Sequence, residues 1–264
     1  MADWTRRNVP ALLALAALIL LWEVLGSALG LRQVIAPLPS AVLAELWAKW
    51  AQLPRHALVT TLEITAAFGV SALLGIGGGI LIVSSRFLSQ LFMPLIVSLQ
   101  VVPKIAIAPL ILIWFGFGAF GKVIIALTVA FFPVLINTIS GLRSADPDVL
   151  DLARSLHAGK VQVFQKILFP NALPYIFTGL KISMTLSVVG AVIGEFIGGN
   201  QGLAYLIQQA QFDINTPLMV VAILLLAVIG LVSYGLVVLA ERLCIPWDVK
   251  QAGREVLELV DARL

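Results

Sequence analysis

The sequence predicts an all-α integral membrane protein with six transmembrane helices, and three observations carry that prediction. The 264 residues are 60% hydrophobic and 12% charged, and the mean hydropathy is +1.04, well outside the range of water-soluble globular domains. Runs of about 20 apolar residues, the length that crosses a bilayer, recur along the chain. Lys and Arg are concentrated in every second connection between those runs, as expected of a multi-pass protein. Cys244 is the single cysteine, so an internal disulfide is impossible, and no His/Cys cluster has metal-ligand spacing. No metal or cofactor is expected on this chain.

The first span is expected over about 9–31. Arg6 and Arg7 precede it, and Gly26-Ser27-Ala28 has the look of a signal-peptide cleavage site. The apolar run exceeds a usual signal core and includes Trp22 and Glu23, so an uncleaved helix is the favoured reading, with Glu23 interfacial. Ser40–Trp50, rich in Trp and with Ser40 as its cap, reads as a short helix lying in the membrane interface. The second span, about 58–83, places Gly75 and Gly79 in a G-x-x-x-G pair suited to close helix contact. The third, about 93–114, contains Pro94, Pro103 and Pro109 and should be kinked or broken. The fourth, fifth and sixth are expected over about 122–142, 173–197 and 217–240, followed by a tail over 241–264 with a helix at Lys250–Leu264.

Orientation follows from the connections. An inside N-terminus puts Arg6, Arg7, Arg86, Arg143, Arg154, Lys160, Lys166, Arg242, Lys250, Arg254 and Arg263 in the cytoplasm. Only Arg32, Lys49, Arg55 and Lys122 are then left outside. Both termini are therefore expected to be cytoplasmic. The pI near 9.2 is a topology signal and gives no reason to expect nucleic acid as a partner.

The connection over 144–173 is the most informative stretch. Asp146 can cap a helix that begins at Pro147, with Asp148 and Asp151 where carboxylates favour the positive helix end. Val149, Leu152, Ala153 and Leu156 form its apolar face; Asp148, Asp151, Arg154 and Ser155 lie opposite. A turn follows at His157-Ala158-Gly159. A second short helix, Lys160–Leu168, is expected to end at Pro170. The two make a helical elbow beneath the membrane.

This elbow resembles the EAA motif of binding-protein-dependent ABC permeases. Asp151, Leu152 and Ala153 stand at E-A-A, His157 at the spaced glycine, and Ile167 with Pro170 at the end. Since His157 replaces glycine, the turn is expected to shift to Gly159. The segments VVPKIAIAPLILIWFGFG, FFPVLINTISGLR and VVGAVIGEFIGGNQGLAYLI resemble the permeases of the nitrate, sulfonate, taurine and thiamine-precursor branch, and the likeness runs over about 12–247. The resemblance implies a type I importer of the bacterial inner membrane: two six-helix permeases, two cytoplasmic ATPase subunits that bind ATP and Mg, and an external binding protein. It also implies that Asp151, Leu152, Ala153, Arg154, Ser155, Leu156, His157, Ala158 and Gly159 form the coupling helix that docks on the ATPase. A homodimer is the expected permease arrangement.

No nucleotide site is expected on the chain itself. GFGAFGKV at Gly116–Val123 imitates a P-loop, but Val123 replaces the magnesium-binding Ser or Thr and no strand precedes it. Ionisable residues in the spans are costly and often functional. Lys104, beside Pro103, either meets an anionic substrate or binds the carbonyls that the prolines free. Glu195 either lines an outer gate or binds a neighbouring helix. Glu63 and Lys181 either snorkel or join ion pairs. Gln100, Lys104, Trp114, Asn137 and Glu195 are the candidate path residues; Gln100, Trp114, Asn137, Ser183, Thr185 and Ser187 could each contact a passing solute, but interhelical packing and hydrogen bonding is the favoured reading for every one of the six. The expected cargo is a small anion such as nitrate, a sulfonate or taurine, with a pyrimidine, riboflavin-like or aromatic-acid nutrient as the alternative. Two other classes have less support. A secondary transporter should show inverted halves, and a membrane enzyme needs converging catalytic groups, whereas His56 and His157 are expected on opposite membrane faces.

Overall fold

The computed structural model describes residues 2–29 and 36–247; the expected tail helix Lys250–Leu264 lies outside them. All regular structure among the described residues is helical. The helices are α1 (Ala2–Ala28), α2 (Pro39–Ala48), α3 (Leu53–Ser84), α4 (Arg86–Val101), α5 (Lys104–Phe115), α6 (Ala119–Arg143), α7 (Pro147–Ser155), α8 (Lys160–Val163), α9 (Phe169–Gly198), α10 (Leu203–Phe212) and α11 (Thr216–Cys244), with a π turn at Phe164–Leu168. Among the described residues, α3, α6, the continuous run Lys160–Gly198 and α11 are long and apolar enough to span a membrane, and the bent pair α4–α5 makes a fifth crossing if counted as one. Helix α1 runs through residues 9–28 of the first expected span.

The chain divides into two compact units. One unit comprises Met1–Thr60 and Asn200–Val228. Its core joins Val42 and Leu53 to Leu206, Ala210, Leu218 and Val221. Ser40 is not the cap of α2: Leu38 is, and Pro39 opens the helix. Ser40 instead donates through its N–H (3.0 Å) and hydroxyl (2.7 Å) to Glu23. The Glu23 carboxylate thereby satisfies an N–H in the first turn of α2, where negative charge is favoured.

Helix α10 was not expected from the sequence, because its ten residues carry three glutamines and no span signal. Its N-terminus is held by two side chains: Gly202 N–H donates to His56 Nδ1 (3.1 Å) and Leu203 N–H to Thr60 Oγ1 (2.8 Å). Asn215 caps α11 by accepting from Leu218 N–H and binds Glu45 through Nδ2, at 3.1 and 3.0 Å.

The second unit comprises Thr61–Gly199 and Ile229–Leu264, and within it α6 packs along α9. Small residues permit that approach. A Cβ added at Gly190 would lie 2.4 Å from Ala126 Cα, inside any tolerable contact. The G-x-x-x-G pair behaves as its spacing predicts, with Gly75 seated on Val134 and Gly79 on Thr138. We expect Gly190→Ala to destabilise the protein by about 1–3 kcal/mol through overpacking. Gly69→Ala, facing open space within the same unit, should be neutral or slightly stabilising. Thermal unfolding of the two variants in detergent checks the contrast.

The third span is a broken pair, bent by 99° between α4 and α5. Pro103 has no N–H to continue the ladder, and its ring drives the preceding residue out of the helical region. Val102 accordingly has ψ 126°. Pro170 has the opposite outcome and does not end its helix. The chain runs helically from Lys160 to Gly198, because the π turn widens the backbone just upstream and Phe169 N–H bonds the Phe164 carbonyl five residues back.

Candidate functional site

The elbow forms with the caps its sequence calls for. Asp146 Oδ1 accepts from Asp148 N–H at 2.9 Å, and Pro147 occupies the first helical position of α7. Asp151 pairs with Arg154 at 2.6 Å, and both side chains are exposed. The expected turn at Gly159 is corrected by the structure. His157 itself takes the left-handed conformation, with φ 54°, while Gly159 is extended and caps α8. His157 N–H bonds the Arg154 carbonyl (2.9 Å) and Ala158 N–H bonds the Ala153 carbonyl (3.0 Å). That pair is a Schellman motif, which places the residue after the C-cap in the left-handed region whether or not it is glycine. Histidine is among the side chains that tolerate this conformation. His157→Gly should therefore raise the stability of the elbow by up to about 1 kcal/mol, and the β-branched His157→Val should lower it by at least that much. Limited proteolysis within 144–168 reads both.

The apolar face of α7 is not packed as a single stripe. Ala153 is buried, but Val149, Leu152 and Leu156 stand exposed, Leu156 at 72% and Leu152 at 61%. A capped helix that holds two leucines in water is suited to receiving a partner.

The candidate path residues separate into two groups. At the α4–α5 break, Lys104 Nζ donates to the Gln100 carbonyl at 3.1 Å and lies 5.1 Å from the Phe132 ring centre. The ammonium thus serves a carbonyl that the break at Val102–Pro103 leaves without a helical donor. It also borders a cavity of about 350 Å³ lined by Leu74, Leu99, Lys104, Thr128, Phe131 and Phe132. A second cavity of about 450 Å³ shares Leu99, Phe131 and Phe132 with it. Trp114 is exposed near the end of α5.

Asn137 and Glu195 are turned into helix contacts. Asn137 Nδ2 donates to the Pro133 carbonyl at 2.8 Å, and its Cβ faces Gly179 of α9. Glu195 is fully buried and lies close to Glu63. Glu63 forms an ion pair with Lys122, and both side chains are at most 4% exposed. Lys122 is therefore not an outer-loop cation, as the charge count assumed. It lies inside α6, in a cluster that joins α3, α6 and α9. The same contact removes the P-loop likeness, since the lysine of GFGAFGKV is committed to Glu63. Lys181 pairs with Glu241 at 2.8 Å. Ser183 and Ser187 are buried, and Ser187 and Thr185 bond carbonyls of their own helix. Among the described residues no group of three or more His, Cys, Asp or Glu could hold a metal.

Residues 71–244 match the family described as binding-protein-dependent transport system inner membrane component. The chain is 33% identical over 228 residues to a probable ABC transporter permease protein of Haemophilus influenzae, covering 86% of this chain and 93% of that one. It is also 33% identical over 248 residues to the riboflavin transport system permease protein RibX of Chloroflexus aurantiacus (93% and 92% covered). Identity to the formylaminopyrimidine transport permease protein ThiX of Halalkalibacterium halodurans is 29% over 234 residues (89% and 94% covered). Further relatives are named for aliphatic sulfonates, taurine and nitrate. In fold, the chain is similar to one chain of the methionine ABC transporter MetNI in an inward-facing conformation, with TM-score 0.57, 16% identity and coverage of 71% and 95%.

Proposed function

Because the chain belongs to the binding-protein-dependent transport system inner membrane components, the permease subunits of ABC importers, we propose that its α7–α8 elbow is the coupling element on which a cytoplasmic ATPase acts. The chain is the membrane permease, and ATP is hydrolysed by separate subunits of such importers. An ATPase and a substrate-binding protein are its partners by family. The observation that carries the elbow's role is the exposed Leu152 and Leu156 on a helix fixed at both ends by caps. A rigid element of this kind transmits the movement of a docked partner to the spans that hold it.

In this reading the docking surface is the exposed Leu152 and Leu156 side of the Asp151–Gly159 segment, and the permease has six spans with both termini in the cytoplasm of the bacterial inner membrane. Two copies assemble around one solute path. ATP and Mg sit on the ATPase, and this chain carries no cofactor of its own. ATP binding draws the elbows together and turns access outward; release of ADP and phosphate restores the inward state.

The cargo is a small organic solute delivered by the binding protein. The cavity beside Lys104 is walled by Phe131, Phe132 and aliphatic side chains with one ammonium at its border. That lining fits a planar ring, or an organic anion with an apolar body, better than a bare inorganic anion such as nitrate. The relatives named for riboflavin, formylaminopyrimidine and sulfonates favour the same choice. Purification of the tagged permease in mild detergent is expected to recover an ATPase and a binding protein, the latter then available for ligand screening. Reproducible recovery of the bare permease, active in transport alone, would favour a secondary transporter.

A further inference from the structure

We propose that the inner side of the elbow is a binding site for one anionic phospholipid, with the headgroup phosphate between Lys160 and Arg154 and an acyl chain in the groove beside α8. Two adjoining cavities make the site. The first, about 350 Å³, is walled by Ile80 and Val83 of α3, Leu142 of α6, and Val161, Phe164 and Leu168, with Lys160 at its border. The second, about 470 Å³, shares Lys160 and Leu168 and is completed by Leu150, Arg154, Ala158 and Val163. One is an apolar slot against the ends of spanning helices; the other presents two cations. An amphiphile with one chain and one phosphate matches that order.

The charges match as well. Asp151 occupies one guanidinium nitrogen of Arg154, and Lys160 has no ion-pair partner among the described residues. Two cations and one carboxylate leave one positive charge, which complements the single negative charge of a phosphatidylglycerol phosphate. A zwitterionic headgroup brings a cation of its own and loses that advantage. Basic recesses between spanning helices near the membrane surface bind anionic headgroups in this way, and the aliphatic stem of Lys160 adds to the slot wall while its ammonium reaches the phosphate. The lipid face is distinct from the face proposed for the ATPase. Leu152 and Leu156 project into solvent, whereas Leu150 and Arg154, one turn apart, face the cavity. A bound lipid would therefore brace α7 against α8 from behind while the leucines remain available.

The test is native mass spectrometry of the full-length permease in detergent, titrated with dioleoylphosphatidylglycerol, dioleoylphosphatidylcholine and inorganic phosphate. We expect one phosphatidylglycerol per chain to bind at least about five-fold more tightly than phosphatidylcholine, the order expected for one cation near a lipid phosphate. Millimolar phosphate should not displace it. Lys160→Gln should abolish the preference while leaving thermal unfolding unchanged, since the side chain is exposed. Val83→Phe, which fills the slot, should weaken both lipids. Equal binding of the two lipids, an unaltered preference in Lys160→Gln, or displacement by phosphate alone would each overturn the proposal; the last would make it a free-anion site.

Discussion

Lys122→Met is expected to remove about 3–5 kcal/mol of stability, the largest loss of any single substitution considered for this chain, because it leaves buried carboxyl groups without their cation. Glu63 and Lys122 pair out of contact with solvent, and Glu195, fully buried, lies beside them. In water either ion would be solvated on its own. Within packed helices the charge of one is tolerated only beside the other. The variant should accumulate poorly in membranes and unfold at lower temperature in detergent. Glu63→Gln combined with Lys122→Gln removes both charges together and keeps hydrogen-bonding groups that can face Glu195. That double variant should recover at least half of the loss. Wild-type stability in Lys122→Met would show that the cluster does not hold α3, α6 and α9 together.

Leu156→Asp is expected to sever transport from ATP hydrolysis while leaving the fold intact. Leu156 is exposed and closes α7, so a carboxylate there disturbs no core. Docked against a partner, the same side chain would be desolvated, and loss of an interface anchor of this kind costs about 2 kcal/mol or more, roughly a thirty-fold drop in affinity. ATP-dependent uptake in reconstituted vesicles should fall by at least that factor, and the ATPase should cease to copurify. Leu152→Asp should do the same; Ser155→Asp, on the opposite face, should do much less. Full coupling in Leu156→Asp would move the docking surface elsewhere.

Much of the fold was legible because a bilayer imposes a one-dimensional rule: apolar length marks a span, and prolines mark where a span breaks. The broken third span, the Gly75/Gly79 contact and the Asp146-Pro147 start of α7 all followed from short-range chemistry. What escaped depends on partners distant in sequence or on backbone details that composition does not encode. Lys122 lies at the edge of an apolar run and counted as a loop cation until Glu63 was seen opposite it. Pro170 carries a stop signal that the π turn at Phe164–Leu168 overrides. His157 was expected to repel the left-handed turn, yet the two Schellman hydrogen bonds hold it there, so motif geometry outweighed residue preference. Helix α10 is short and rich in glutamine, and the groups that start it, His56 and Thr60, come from α3. The elbow was the most legible part of the site, whereas Lys104 was legible only as a pair of alternatives, of which its bond to the Gln100 carbonyl realises the second.

The most direct test of the elbow as coupling element uses the lone native cysteine, which is exposed. In a Cys244→Ser background, a photo-activatable group on Leu156→Cys should cross-link to the ATPase in the assembled importer, and the yield should change between nucleotide-free and ATP-bound states. Cross-linking to lipid alone, in an importer that still takes up its cargo, would contradict the account.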